Sequence, residues 1–442
     1  MVAYGFDPEK LIKHAQKLDL DLELYIVSRQ GVLISFEDAR RVVGRDEEAG
    51  VSIRVVKDKK LGHYSFPLNS RVDEKVALEK AVKIANAGNR RVKRPPFTFT
   101  DSVTEVSGLY DPVGNIDFEE GVKLCEDCMR AMRSILRGAG GFPRREAKLS
   151  LHLSSSVEEV TVTNTYGIEK HDKATYYSFR ASCIAEGGRS RESTVKRRFS
   201  DLDPVELAEY VAEMAMETMP KDVIQEGRAD VLLHPKVLSR ILNDAFVPCI
   251  CADVAGALLM RDKVGKMVFS EQISVTDDGT LPALAFSARF DDEGWPTQRN
   301  AIVEKGVFKG FLYDNLSAMF NETLSTGNAR REHYTADVAV KPHNLLVEAG
   351  DYDMEELFEE CDGIFVIDAL SAAKPTSGEI DLEVLSALRV KDGELHSALH
   401  PFHIKTSLQH ILGRVAGVSD VREETPGYIC PYVLVKSVYC FA

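Results

Sequence analysis

Three consecutive carboxylates, Asp291, Asp292 and Glu293, stand close to the only tryptophan of the chain, Trp295. Adjacent acidic side chains can serve as general acid and base, or hold a divalent cation through oxygen. Neighbouring side chains on an extended segment point to opposite faces, however, and the turn residue Gly294 follows directly. We therefore expect a solvated turn or loop-fixing hydrogen bonds. Contact with a partner or a peptide, and metal binding, are the alternatives.

The segment STGNARRE, residues 325–332, offers a second group of polar side chains. Its candidate peptide- or partner-binding residues are Ser325, Gly327, Asn328, Arg330 and Arg331. Gly327 and Asn328 favour a left-handed turn, whose backbone N–H groups can surround a carboxylate or a carbonyl. The alternative is a loop held by its own side chains. Ser325 would need a base to act as a nucleophile, and the spacing to His333 supports no triad.

Four of the eleven histidines stand in one short segment. They are His396, His400, His403 and His410. Such clustering is compatible with zinc or nickel binding, or with a polar segment that responds to pH. Pro401 interrupts any helix that would align His396 with His400, and no acidic residue lies between His396 and His410 to act as a base.

The composition excludes several classes of function. The net charge is -14 and no stripe of lysine and arginine stands out, so nucleic acid is not expected as a direct partner. The longest apolar run, residues 245–260, is shorter than a membrane span and contains Asp253. The first residues lack the apolar stretch of a secretory signal, and eight cysteines are too sparse for a disulfide framework. We expect a cytoplasmic protein without a membrane contact.

In the first half, apolar spacing predicts helices over residues 8–17 and 117–137. A further helix begins at Pro204 with Asp203 as its N-cap. Alternating apolar residues on either side of Gln30–Gly31 predict two strands joined by a turn.

In the second half, a strand leads into a helix begun by Pro235, and strands and turns then dominate. One of these predicted strands, LPALAFSARF, would direct Leu284, Phe286 and Ala288 inward.

These patterns predict an α+β protein in two domains. Residues 1–225 form an N-terminal domain of mixed helices and antiparallel strands, with a possible split into subdomains near 90–100. Residues 226–442 form a β-rich domain of antiparallel sheet, either barrel-like or sandwich-like.

Several segments, taken in order, resemble the TldD/PmbA family of metallopeptidases, also labelled modulators of DNA gyrase. The segments are ELYIVSRQG, GVSIRVVKDKKLGHYSF, AVKIANAG, KVGKMVFSEQISVTDDGTLP, FDDEGWPTQRNAIVEKGVFKGFLYDNLSAM, LSTGNARRE and YICPYVLVKSVYCF. They extend over nearly the whole chain. The resemblance implies a protein associated with intracellular peptide degradation.

Some family members carry H-E-x-x-x-H on the helix that corresponds to the one after DVLLHP here, and a cysteine in a C-G-K context completes their zinc site. Residues 235–270 of this chain contain neither histidine nor glutamate, and the expected motif position is Ile241–Phe246. Cys430 precedes Pro431 instead of standing in a C-G-K context. The resemblance thus implies neither a metal site nor a catalytic residue in this chain.

This pattern is similar to the PmbA/TldE branch, whose members lack zinc and pair with a TldD subunit. It implies a non-catalytic subunit of a TldD/TldE-type complex that degrades unfolded peptides. Zinc is then expected in the partner subunit, and a homodimer in isolation is possible. The two alternatives are a stand-alone metal-dependent hydrolase using residues 396–410, and a homodimeric peptide-binding protein without proteolysis.

Overall fold

The computed structural model describes residues 6–38, 40–70, 72–138 and 147–442. The first half contains a six-stranded antiparallel sheet in the order β3-β2-β1-β4-β5-β6. Its strands are β1 Asp21–Glu37, β2 Arg40–Lys57, β3 Lys60–Pro67, β4 Lys148–Asn164, β5 Glu169–Ala185 and β6 Gly188–Lys196. The helices of this half are α1 Pro8–Lys17, α2 Glu74–Ala87, α3 Phe118–Gly138 and α4 Pro204–Glu217. The predicted α+β class is confirmed.

Helix starts in this half follow their capping residues. Asp203 accepts a hydrogen bond from the Glu206 N–H, and Pro204 occupies the first turn of α4 as predicted. The helices bury their apolar faces on the sheet in two separate cores. One core joins α1 and α2 to β1, β2 and β3, and the other joins α3 and α4 to β1, β4 and β5.

The predicted turn at Gln30–Gly31 is wrong, because β1 passes straight through it. Gln30 pairs with Glu47 on one side and with Val157 on the other. A Cβ atom at Gly31 would lie 2.6 Å from the Ser155 carbonyl oxygen. The glycine therefore permits the backbones of β1 and β4 to approach closely, and close backbone approach is a common reason for glycine within a strand.

The second half contains an eleven-stranded sheet with the main order β10-β9-β8-β13-β19-β17-β15-β14-β7, with β16 on β15 and β18 on β19. Its strands are β7 Gly227–Leu233, β8 Val275–Asp278, β9 Arg299–Glu304, β10 Val307–Phe308, β13 Leu345–Val347, β14 Gly363–Lys374, β15 Glu379–Lys391, β16 Glu394–Ala398, β17 Phe402–Ser407, β18 Val415–Thr425 and β19 Tyr428–Phe441. A separate pair is β11 Ala329–Arg330 with β12 Ala339–Val340. The helices are α5 Pro235–Ile241, α6 Val247–Ile250, α7 Asn315–Phe320, α8 Met354–Glu359 and α9 Leu408–Gly413.

This sheet is mixed, whereas the sequence predicts an antiparallel one. β7 runs parallel to β14, and β13 runs parallel to β19. β7 also pairs with β19, yet the sheet as a whole is not a clear barrel. Among the described residues, no helix is long and apolar enough to cross a membrane.

The predicted strand LPALAFSARF is also wrong. Residues 281–290 form turns, with a left-handed backbone at Ala283. Ala285, Ser287 and Phe290 are the buried residues of this segment. Because the backbone turns, the side chains do not alternate between two faces as they would in a strand.

Candidate functional site

Helix α5 begins at a buried cap and lies against the second sheet. The His234 Nδ1 atom accepts a hydrogen bond of 3.2 Å from the Lys236 N–H, which caps the first turn. Helix α5 contacts β14, β18 and β19. The strand-to-helix connection predicted at Pro235 is present.

A π-turn, Leu242–Phe246, follows α5 directly. The Val247 N–H donates to the Leu242 carbonyl, a hydrogen bond that spans five residues. In an α-helix with 3.6 residues per turn, positions five apart point to different sides. A π-turn brings such positions into line, and π-turns occur frequently at functional sites. This segment therefore has the backbone form that H-E-x-x-x-H needs to direct both imidazoles the same way.

A cleft of about 690 Å³ opens beside α5 and the π-turn, between the two sheets. Its lining residues are Arg180, Arg191, Glu192, Ser193, Lys236, Ser239, Arg240, Asn243, Asp244, Asp368, Leu370, Ser371, Thr425, Pro426 and Tyr428. A volume of this size is typical of ligand sites. Two lining residues of this helical segment, Ser239 and Asp244, are five positions apart, which is the spacing between the two histidines of H-E-x-x-x-H. Arg240 directly follows Ser239 and also lines the cleft.

The side chains of this segment do not fit the zinc that some family members hold on the corresponding helix. A catalytic zinc site needs imidazoles and an open position for water, with a carboxylate as base. The cleft presents Ser239, Arg240 and Asp244 instead, while Ile241 and Phe246 are buried in the core. In the described ranges, no group of three or more His, Cys, Asp or Glu side chains could hold a metal ion.

Ion pairs organise the floor of the cleft. Arg191 holds Asp368 through two hydrogen bonds, of 2.8 Å from Nε and 3.0 Å from Nη2. The Arg240 Nη1 atom lies 3.6 Å from the same carboxylate and donates to the Ala369 carbonyl. Lys236 pairs with Glu192. Burial lowers the pKa of Arg240, and the neighbouring Arg191 lowers it further.

The carboxylates Asp291 and Glu293 are buried, so the predicted solvated turn is wrong for both. Asp291 accepts hydrogen bonds from the N–H groups of Glu293, Trp295 and Ala329, at 2.8 to 3.0 Å. Burial raises the pKa of Asp291 to about 7, although these three donors favour its charged form. The alternative of loop-fixing hydrogen bonds is confirmed.

Glu293 joins a charged network between the two halves of the chain. Its Oε1 atom lies 2.6 Å from Arg54 Nη1, and Arg54 also lies 2.7 Å from Glu23 Oε1. Arg331 Nη2 stands 3.6 Å from the same Glu23 atom. Burial opposes the charge on Arg54, but Glu23 and Glu293 raise its pKa above the usual value.

The structure brings the two predicted polar segments together. Asp291 Oδ2 accepts from the Ala329 N–H at 3.0 Å, and Asp292 Oδ2 accepts from the Arg331 N–H at 2.6 Å. We call residues 291–293 with residues 325–331 the junction cluster. The Arg331 side chain is almost fully buried, and Arg330 is half-buried with its Nη1 atom 3.4 Å from His343 Nδ1. Peptide or partner contact by the junction cluster stays a prediction.

The remaining members of the junction cluster hold its own backbone. Gly327 is left-handed with φ +74°, as predicted, and a Cβ there would lie 2.4 Å from the Pro296 carbonyl oxygen. The buried Asn328 amide donates to Asp277 Oδ2 at 2.7 Å. The Ser325 hydroxyl donates to the Tyr313 carbonyl at 3.1 Å. The hydroxyl of Ser325 is thus engaged with the loop itself.

The four histidines of residues 396–410 lie on several elements. His403 Nδ1 is 3.1 Å from Asp381, and His410 Nε2 is 3.3 Å from the Lys436 carbonyl. His396 lies on β16 and faces solvent, and His400 is exposed in the connection after it. Within the part of the chain that the structure describes, they form no metal-binding group.

The charged residues of the cleft have little signature in the sequence. Arg191, Arg240 and Asp368 come from three elements far apart along the chain, and their proximity is a product of the fold. One signal was available, since Asp368 interrupts the apolar run GIFVIDAL of a buried strand. A charge in such a run requires a partner.

Sequence models of one peptidase family match most of the chain. They are the PmbA/TldA metallopeptidase domain 1 over residues 22–87, the central domain over 111–218 and the C-terminal domain over 226–440. The chain therefore belongs to the PmbA/TldD metallopeptidase family.

Relatives and solved structures agree with this family and with the fold. A metalloprotease of Methanocaldococcus jannaschii is 27% identical over 86% of this chain and 85% of its own length. The crystal structure of TldE from Thermococcus kodakarensis covers 98% of this chain and 99% of its own, at 22% identity and a TM-score of 0.80. A Thermotoga maritima structure described as a candidate modulator of a DNA gyrase covers 98% of both chains, at 21% identity and a TM-score of 0.84.

Some relatives are named for zinc. A zinc metalloprotease TldD homolog of Saccharolobus solfataricus is 22% identical over 73% of this chain and 79% of its own length. The side chains that line the cleft of the present chain offer no equivalent ligand set.

Proposed function

We propose that this chain is the non-catalytic, PmbA/TldE-like subunit of a cytoplasmic TldD/TldE-type zinc metallopeptidase. A TldD-like partner supplies the zinc, and the complex degrades unfolded peptides. One observation carries the proposal. A π-turn is present, but neither the expected motif position, Ile241–Phe246, nor the cleft-facing residues Ser239, Arg240 and Asp244 supply an imidazole.

The proposed contribution of this chain is to hold the peptide. Strand β6 ends its sheet, so one of its edges has no neighbouring strand among the described residues. On the side away from β5, the Arg189 carbonyl accepts side-chain hydrogen bonds from Ser386 and Thr218, and the Arg191 carbonyl accepts one from Lys236. Backbone direction alternates along an antiparallel strand, so Ser193 and Val195 direct their N–H and C=O groups to the same outer side.

This outer edge borders the cleft at Arg191 and Ser193. An extended peptide can pair with it as an added strand, through main-chain hydrogen bonds that tolerate many side chains. Such a mode suits a complex that must accept unfolded peptides of varied sequence. The chain would then present the peptide while the partner cleaves it.

A reconstitution assay tests the proposal. The purified chain, a zinc-bearing relative that carries H-E-x-x-x-H, and the two together are each given a fluorogenic unfolded peptide, and bound zinc is measured. We expect fast cleavage only in the mixture, with zinc in the relative. The matched control replaces the first histidine of the relative's motif by alanine and should abolish cleavage. EDTA-sensitive cleavage by this chain alone, with stoichiometric zinc, would overturn the proposal.

A further inference from the structure

We propose that the cleft beside the π-turn contains a carboxylate-binding subsite formed by Arg191 and Arg240. The ligand is a carboxylate of the bound peptide, either its C-terminus or an acidic side chain. This inference rests on the proposed function, because it assigns a substrate preference to the same cleft.

The first support is an imbalance of charge at the cleft floor. Arg191 and Arg240 both lie against Asp368, so two guanidinium groups share one carboxylate. The side chains of Arg191 and Arg240 are about one-third exposed, at 35% and 33%, whereas that of Asp368 is 4% exposed. Two cations facing an opening with one buried anion between them attract a second anion from solution.

The second support is a pair of hydroxyl groups without partners. The Ser371 Oγ and Thr425 Oγ1 atoms are buried, and within the described residues neither has a hydrogen-bond partner. Both residues line this cleft. A buried polar atom without a partner is costly, and a ligand or ordered water that supplies one relieves the cost. Both hydroxyls are therefore available to donate to a ligand in this cleft.

The third support is the position of Arg191. It lies on β6, two residues before Ser193, at the outer edge where the peptide is proposed to pair. A peptide strand on this edge would bring its end or a side chain over the Arg191–Asp368–Arg240 group. The planar fork of a guanidinium matches the two oxygens of a carboxylate.

A larger polyanion fits less well. The chain has a net charge of -14, which repels extended anions over a distance of several ångströms. Glu192 and Asp244 also line the cleft, so its lining has mixed charge and does not form a continuous positive surface. A single carboxylate is therefore the expected ligand.

The experiment measures binding of a fluorescent unfolded peptide to the full chain by anisotropy, alone and with the relative whose first motif histidine is replaced by alanine, so that the peptide is not cleaved. Three forms of one peptide are compared: a free C-terminal acid without acidic residues, its C-terminal amide, and the amide with one internal glutamate. We expect the acid, the glutamate peptide, or both to bind about tenfold more tightly than the plain amide, as charge-assisted hydrogen bonds imply. The form that gains affinity identifies the source of the carboxylate.

The variant Arg240→Gln should bring the affinity ratio between the carboxylate-bearing peptides and the plain amide toward one, whereas the control Arg45→Gln, on the exposed part of β2, should keep the ratio of the unaltered chain. Equal binding of all three peptides to the unaltered chain would overturn the subsite and leave peptide binding intact. Failure of every peptide to bind, alone or with the relative, would overturn both the subsite and the proposed function. Even if Arg240→Gln does not fold, the comparison of the three peptides on the unaltered chain still tests whether the carboxylate-binding subsite exists.

Discussion

Arg54 Nη1 lies 2.6 Å from Glu293 Oε1, and both side chains are almost completely buried. Arg54 is on β2 of the first sheet, and Glu293 belongs to the junction cluster in the second half of the chain. The Glu293 Oε2 atom also accepts from the Asn315 N–H at 2.7 Å, at the start of α7. This single ion pair therefore connects the first sheet to the backbone of the second half.

Replacement of Arg54 by methionine should destabilise the protein strongly. Glu23 and Glu293 would lose their shared cation in a site without solvent. Breaking a buried ion pair on one side costs about 3–5 kcal/mol. Urea unfolding measures the loss, and Arg45→Met is the control, because its side chain is exposed and its pairing with Glu47 is weak. A loss for Arg54→Met no larger than that of the control would show that the network contributes little.

Substitution of Gly327 by alanine should also destabilise the junction cluster. The backbone at this position has φ +74°, and a Cβ would lie 2.4 Å from the Pro296 carbonyl. Strain and overlap together should cost at least about 2 kcal/mol in the free energy of unfolding. Gly44→Ala is the matched control, since a Cβ there meets nothing within 4 Å. Similar unfolding midpoints for the two variants would contradict this account of the turn.

His234 should make stability depend on pH. Burial lowers the pKa of the His234 imidazole well below its ordinary value of 6.5, and Lys236 lowers it further. Glu423, 3.6 Å from Nε2, is the facing acidic group and acts in the opposite direction. The folded state thus holds the neutral ring, whereas the unfolded chain takes up a proton below about pH 6.5. The neutral His234 ring therefore contributes its full share to the free energy of unfolding above that pH, and this contribution is lost as the pH falls.

The variant His234→Asn retains an oxygen that can cap α5 but does not titrate. Between pH 6.5 and 5 its stability should fall less steeply than that of the unaltered chain, by up to about 1.4 kcal/mol per pH unit. Other buried histidines titrate in both proteins and cancel in the comparison. The exposed His396, replaced by asparagine, provides the control. Parallel pH profiles for His234→Asn and the unaltered chain would show that His234 takes up its proton over the same pH range in the folded and the unfolded state, contrary to the prediction.

The π-turn allows a direct test of which positions face the cleft. The combined changes Ser239→His, Arg240→Glu and Asp244→His should produce zinc binding that the unaltered chain lacks and that EDTA reverses, because the π-turn aligns positions five apart. This binding should be weaker than that of a zinc-bearing relative, since the two imidazoles supply only two of the three protein ligands of a catalytic zinc site. Ile241→His with Phe246→His should instead unfold the chain, since polar groups in this core cost several kcal/mol. Zinc binding by the variant at positions 241 and 246, with none by the variant at positions 239, 240 and 244, would show that Ile241 and Phe246 and not Ser239 and Asp244 mark the cleft-facing side of the helix.

The sequence predicted those parts of the fold that depend on local chemistry. The helices begun at Pro204 and Pro235 start where their prolines indicate, and the helix over residues 8–17 has the bounds that its apolar spacing predicts. The turn predicted at Gly31 is wrong because glycine occurs both in turns and where two strands approach closely. Only the position of the neighbouring Ser155 carbonyl shows which of the two applies here. A contact between residues 124 positions apart has no local signal.

The candidate site was predictable in part for the same reason. The lack of histidine and glutamate on the helix after β7 is visible in the sequence, and so is the left-handed turn at Gly327. The burial of Asp291 and Glu293 was not, because the compensating N–H donors and the Arg54 cation are supplied by distant segments. The cleft itself depends on three separate elements meeting at Asp368.

The most direct test of the central claim is the zinc content of the complex. This chain and an H-E-x-x-x-H relative are produced together, purified as one species, and analysed for metal per mole of each chain. The account predicts one zinc per pair of chains, retained when Arg240 of this chain is replaced by glutamine and lost when the relative's first motif histidine is replaced by alanine. Two zinc ions per pair, or zinc that stays with this chain after separation, would contradict it.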